Sequence, residues 1–127
     1  MNILDENIDS VARERLRSFK VRFRHIGSDI GYSGMKDLND VIPLLHELRN
    51  PTFFTRDGDF SRPLFHARYC LVYLDVRASE SAEYVVRFLR QEGFRKQNER
   101  MGKVIRLRPK RVSYRELNSE KESHLEW

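Results

Sequence analysis

The sequence predicts an α/β sandwich of three layers around a largely parallel central sheet. Apolar runs and helical stripes alternate in the rhythm strand, helix, strand, helix, strand, strand, helix, strand. The run Leu71-Val72-Tyr73-Leu74 is apolar on both faces, the pattern of a central strand covered above and below. The 127 residues suffice for one core of this kind and leave no room for a second, so residues 1–127 read as a single domain.

The elements follow in order. Ile3-Leu4 reads as the end of a first strand. Asp9 or Ser10 caps a helix to about Ser18, with Ala12, Leu16 and Phe19 at helical spacing and Arg13 and Arg17 on another face. Val21-Arg22-Phe23-Arg24 alternates apolar with basic, the period of a half-buried strand. A loop with three glycines, Gly27, Gly31 and Gly34, leads to Asp37, which opens a helix with the stripe Val41, Leu44, Leu45 and Leu48. Asn50-Pro51 ends that helix, because proline disfavours a helical residue before it. Thr52-Phe53-Phe54-Thr55 is a short buried strand, followed by the polar turn Arg56-Asp57-Gly58-Asp59. From about Ser81 to Gln91 a helix turns Ala82, Val85, Val86 and Leu89 inward and stops near Gly93. Lys103–Leu107 and Val112–Leu117 read as strands around Pro109, and Asn118–Trp127 as a charged tail.

Composition narrows the function classes. A hydrophobic fraction of 39% with 34% charged residues belongs to a folded domain with a charged surface and excludes disorder. The net charge of +5 and pI of about 9.6 favour polyanionic partners, nucleic acid before anionic membrane. The single cysteine, Cys70, excludes an internal disulfide and a cysteine metal cluster, and its apolar neighbours predict a buried, inert thiol. The acidic start and the lack of a run of ~20 apolar residues predict a cytoplasmic protein without a membrane span. His25, His46, His66 and His124 lack zinc-site spacing. Ser10, Ser33 and Ser61 lack the context of an acyl-transfer nucleophile, and the glycines form no phosphate-binding fingerprint.

Carboxylates carry the strongest chemical signal. In parallel sheets ligands bind beyond the carboxyl ends of the strands, and Asp5, Asp57, Asp59 and Asp75 follow predicted strands directly. With Asp37 at a helix start, three chain segments can bring carboxylates to one edge. Crowded carboxylates resist ionisation unless a cation sits among them, and oxygen donors alone select Mg²⁺ or Mn²⁺. Each residue also has a plainer explanation. Asp37 with Asp40 matches a helix cap, Asp57-Gly58 is a turn signal, and Asp5 fits an N-terminal turn.

Leu4-Asp5-Glu6-Asn7-Ile8 resembles the opening of a PIN-like family of small bacterial proteins, and Thr55-Arg56-Asp57-Gly58-Asp59-Phe60 is similar to its T-x-D-x-D-F signature. The resemblance runs over about residues 3–89 and leaves 94–127 as a C-terminal extension without a matched role. It implies a Mg²⁺- or Mn²⁺-dependent nuclease, RNA favoured as substrate, in many members the toxin of a toxin–antitoxin pair. Carried over, Asp5, Asp57 and Asp59 are the metal and catalytic acids, with Asp37, or Asp40 in its place, as the helix-start acid. Lys36 and Arg56 are candidate phosphate contacts, Tyr32, Phe60 and Phe65 candidate base-stacking side chains. An antitoxin protein and a second copy of the chain are the candidate protein partners. The competing expectation is a scaffold of the same plan that binds nucleic acid or a partner and cleaves nothing.

Overall fold

Successive side chains along the central strands join alternate cores, one on each face of a single sheet. The computed structural model describes residues 1–35, 37–61, 69–116, 119 and 121–127, and at residues 37, 38, 60 and 61 the backbone alone. Within it lie β1 (Asn2–Leu4), β2 (Arg24–His25), β3 (Thr52–Thr55), β4 (Cys70–Leu74), β5 (Lys103–Arg108), β6 (Arg111–Glu116) and β7 (Ser123–Glu126). They form one sheet in the order β2-β1-β3-β4-β5-β6-β7. The pairings from β2 through β5 are parallel, and β6 and β7 add antiparallel strands. The fold is therefore α/β with a mostly parallel, mixed sheet.

The helices are α1 (Ser10–Ser18), α2 (Ile42–Glu47), α3 (Ser81–Arg90) and the single turn α4 (Gln97–Arg100). Ile3, Phe53, Leu71 and Val104 face Val41 and Leu45 beside α2. Leu4, Phe54, Val72 and Ile105 face the other way, against Ala12 and Leu16 of α1 and Ala82, Val85 and Phe88 of α3. Helices thus cover both faces, and β1, β3 and β4 carry almost wholly buried side chains, as expected of central parallel strands. Cys70 is buried among them, and burial pushes its thiol up to about 12.

The distribution of helices has a topological origin. The chain passes over the α1 face on its way outward from β1 to β2, and over the same face, in the opposite direction, from β4 to β5. Two crossovers on one face in opposite directions have opposite hands. The β2-to-β3 crossover, over the α2 face, shares the hand of the first. The β4-to-β5 connection is therefore opposite in hand to those two, so the three do not all follow the usual right-handed rule.

Local chemistry sets the element ends. Asp9 caps α1 by accepting from the Ala12 N–H at 2.8 Å. Lys20 leaves the helix at φ 61°, so the chain joins the sheet late and β2 is shorter than the expected Val21–Arg24. The helix expected from Asp37 begins at Ile42 instead. Pro43 has no N–H for the Asn39 carbonyl, and the turn in front of it, Asp37–Val41, is wound as a π turn. Arg100, 7% exposed, was not singled out by sequence. It donates to Thr52 Oγ1 and to the carbonyls of Phe94 and Arg95.

The expected charged tail is corrected most. Ser123–Glu126 pair with β6 as the edge strand β7. Trp127 then donates from Nε1 to the Arg108 carbonyl at 3.0 Å, packs on Tyr84 and lies under the Arg87 guanidinium. Charge along 118–127 hides this strand, because Leu125 and Trp127 are its apolar contribution to the α3 side. Trp127→Ala is expected to lower stability by about 1–2 kcal/mol, through lost aromatic packing and one lost hydrogen bond. Native-state hydrogen exchange should show the loss concentrated in β6–β7. Unchanged protection there would show that Trp127 does not hold the strand.

Candidate functional site

Strand order reverses at β1, because the chain goes from it to β2 on one side and only later to β3 on the other. Such reversals leave a crevice beyond the strands' carboxyl ends, where the connecting loops part to opposite faces. Asp5 follows β1 at this point, and Arg56 to Asp59 follow β3 beside it. The Asp5 N–H donates to the Phe54 carbonyl at 2.9 Å, extending the β1–β3 ladder one step beyond the strand. Because β3 pairs with β4 in parallel, the Asp57-Gly58 turn does not join them as a hairpin. Gly58 instead opens a 3-10 turn against the Tyr73 ring, where an added Cβ would approach ring atoms to 3.2 Å.

Thr55 is the junction of the site. Its hydroxyl donates to Asp5 Oδ2 at 2.6 Å and accepts from the Asp57 N–H at 3.0 Å and from Asn7 Nδ2 at 3.4 Å. Asp5 Oδ1 accepts from the Glu6 N–H at 2.8 Å. Asn7 Oδ1 accepts from the Arg56 N–H at 3.2 Å, and Asp57 Oδ1 from the Asp59 N–H at 2.9 Å. Asp5 is only 6% exposed. Burial pushes its carboxyl above the ordinary aspartate range, and the negative charges of Asp57 and Glu6 add to that. The hydrogen bonds from Thr55 and Glu6 work the other way.

The loop after β2 is tied to the same edge. Both Glu6 carboxylate oxygens accept from the Gly34 N–H, at 2.9 and 3.1 Å. Gly34 stands at φ 79°, a conformation open to glycine at little cost. His25, 4% exposed, points Nε2 at the Glu6 carbonyl at 3.3 Å. A carbonyl only accepts, so Nε2 carries the hydrogen and Nδ1 accepts from Ser28 Oγ at 2.8 Å and from Arg13 at 3.3 Å. Burial, then the Arg13 charge, pulls the imidazole pKa down. Glu6, Asn7, His25 and Thr55 were not singled out as site residues from the sequence. Glu6, Asn7 and Thr55 belong to the quoted motifs, which is the signal that reaches them.

The other sequence candidates separate. Asp59 is exposed in the 3-10 turn. The Asp37 backbone begins the π turn three residues beyond the anchored Gly34, and its side chain lies outside the described atoms. The Asp40 carboxylate accepts from the Tyr32 hydroxyl, which raises the phenol's pKa. The Arg56 side chain is half-buried, with Nε lacking a partner among the described residues. Lys36, Phe65 and the Phe60 side chain lie outside the described residues. Asp75, also at this edge, is occupied by Arg106 at 2.6 Å and Arg108 at 3.8 Å.

Among the described residues, no three of His, Cys, Asp and Glu gather closely enough to hold a metal ion. The site offers the buried Asp5 with Asp57 as its neighbour, and Glu6 turned to Gly34. Among the same residues no helix is long and apolar enough to cross a membrane. Comparison with family models, curated proteins and solved structures finds no match for this chain.

The Asp5 environment has a measurable cost. A carboxyl whose folded pKa is raised binds protons more tightly in the native state. Its contribution is therefore most favourable at low pH and is lost as pH rises from the unfolded value of 3.8 through the folded one. Asp5→Asn is expected to remove this acid-side trend and to stabilise the fold at neutral pH. Denaturant titrations of both proteins across that range check it, and an equal pH slope in the variant would contradict it.

Proposed function

We propose that the chain is a divalent-cation-dependent phosphodiesterase of PIN-like plan, acting on nucleic acid, RNA first, in the cytoplasm. One observation carries the reading: the buried Asp5 carboxylate and the Asp57 loop meet where strand order reverses, joined through one hydroxyl. Further support comes from the motif residues themselves. Asp5 and Asn7 of the opening segment both bond Thr55, 50 and 48 positions away, so the two stretches of the resemblance interlock.

The donor types suit Mg²⁺ or Mn²⁺, being hard carboxylate oxygens with no thiolate or imidazole among them, but Asp5, Asp57 and Asp59 are not gathered closely enough to form a ligand set as they stand. Asp5, Asp57 and Asp59 would hold the ion, with Asp37 or Asp40 as a further acid. When bound, a divalent cation supplies Lewis acidity at a phosphoryl oxygen and lowers the pKa of water. The chain's own contribution is to orient. Thr55 fixes the direction of Asp5 Oδ2, and Asn7 holds the Asp57 loop by the Arg56 N–H. Arg56, and Lys36 in the same reading, contact the phosphate.

Calorimetric titration with Mg²⁺ and Mn²⁺, followed by cleavage of labelled single-stranded RNA, tests this. Wild type is expected to bind and cleave. The double variant Asp57→Asn, Asp59→Asn should lose cleavage by roughly 100-fold or more, since even groups behind metal ligands cost about 10–100-fold. Full activity in that variant would sink the proposal. If the chain is a toxin, expression of wild type, and not of the variant, should arrest growth, with an antitoxin relieving it.

A second reading is favoured by the completeness of the hydrogen bonding. Both Asp5 oxygens and Asp57 Oδ1 already have donors, as structural aspartates do. Under it the chain binds nucleic acid or a protein partner without cleaving. Absence of metal binding together with a persistent nucleic-acid complex would select this reading.

A further inference from the structure

The structure sorts the basic residues into those with a carboxylate partner and those without. Arg15 pairs with Glu83, Arg17 with Glu14 at 2.8 Å, and Arg106 and Arg108 with Asp75. Arg111 stands across from Glu126 in the β6–β7 register. Arg13 is held by its own helix's Asp9 carbonyl, His25 and Ser28. Lys20, Arg22 and Arg24 are exposed, and among the described residues none has a carboxylate within ion-pair distance; the same holds of exposed Arg49, Arg77, Arg90, Arg95 and Lys96, so it is position that sets the three apart.

These three lie along the outer edge of the sheet. Val21 and Phe23 pack, half-buried, against the α1-side core, and Arg22 and Arg24 are exposed beside them, Arg24 as the first residue of β2. Beside them is a depression of about 390 Å³ lined by Met1, Asn2, Arg22, Phe23 and Arg24. Asn2 donates from Nδ2 to the Arg22 carbonyl at 3.0 Å, and its Oδ1 is buried with no partner among the described residues. The depression thus combines guanidinium groups, the half-buried Phe23 ring, which also carries the Arg17 guanidinium at 5.2 Å, and an acceptor able to take an N–H. Phosphates, a base face and a base edge need those three kinds of group.

Direction completes the argument. β2 runs parallel to β1 with Arg24 opposite Ile3 and His25 opposite Leu4, and Asp5 comes next. A chain lying along β2 therefore points at the carboxylate edge, about two residues beyond Arg24. We propose that this edge, Lys20, Arg22 and Arg24 with the Asn2–Phe23 depression, is the landing track for the phosphate backbone of single-stranded nucleic acid. The proposal deepens the phosphodiesterase reading by naming where its substrate lies, yet its binding step needs neither metal nor cleavage. The plainer role for cations on an edge strand is to prevent pairing with another sheet.

The test is anisotropy of fluorescein-labelled single-stranded RNA and DNA of about 10 nucleotides, in EDTA, across a salt series. Wild type is compared with Lys20→Gln/Arg22→Gln/Arg24→Gln and with Lys110→Gln/Arg111→Gln as control, after thermal melts show each is folded. Three phosphate contacts predict that the triple variant weakens binding by roughly 10-fold or more at low salt. They also predict a log–log salt slope shallower by about 2. The control should match wild type. Wild type that binds no single strand, or a triple variant that binds with wild-type affinity and slope, overturns the track. Unchanged binding with new self-association in light scattering assigns these cations to edge protection and also overturns it. Loss of cleavage in Asp57→Asn with binding retained concerns the active-site reading and leaves the track standing, so the two fail separately.

Discussion

One hydroxyl group organises the carboxyl edge of this sheet. Thr55 Oγ1 donates its only hydrogen to Asp5 and accepts from the Asp57 backbone and the Asn7 amide. That arrangement depends on the parallel pairing of β1 with β3, which brings the end of one strand level with the end of the other. Valine has the shape of threonine but would leave a buried carboxylate and a backbone N–H each short of a partner, a cost of about 1–3 kcal/mol per group. The loops on either side inherit their positions from this pair of strands. Glu6 reaches the glycine loop, and Asn7 the turn after β3.

The β4-to-β5 crossover, opposite in hand to the two before it, shapes what surrounds that edge. With α3 beside α1, both contribute to one continuous core, and Phe54, Phe88, Phe94 and Tyr114 meet in successive ring contacts within it. Of α1, α2 and α3, only α2 lies on the opposite face. The same arrangement lets the antiparallel strands β6 and β7 extend the sheet, with Tyr114, Leu125 and Trp127 packing on the α1–α3 side. The C-terminal segment is thus built into the sheet rather than appended to it.

Much of this plan was legible in the residues. Apolar character on both faces of Leu71–Leu74 marked a central strand, Asp9 marked a helix start, and Asp5 and Asp57 were readable as acids close behind strands. What stayed hidden depends on register. Whether an arginine is spent on a neighbour is decided by which strand lies opposite: Arg106 and Arg108 find Asp75, and Arg22 and Arg24 find no acid. The buried Arg100 is invisible because its acceptors, Thr52 and two carbonyls, come together only in the fold. Strand β7 escaped because its pairing residues look like solvent-facing charge, and the helix after Asp37 started late because one proline outweighed a regular apolar stripe.

The separation of the site's halves along the chain has a thermodynamic side. Asp5 and Thr55 are 50 positions apart, so the unfolded polypeptide has no version of this arrangement. Anything that binds it binds the native state alone, and by mass action raises the free energy of unfolding by RT ln(1 + [L]/Kd), about 2.7 kcal/mol at a hundredfold excess over Kd. The melting temperature of the whole chain is in that sense a gauge of occupancy, readable for any ion or oligonucleotide before its chemistry is known.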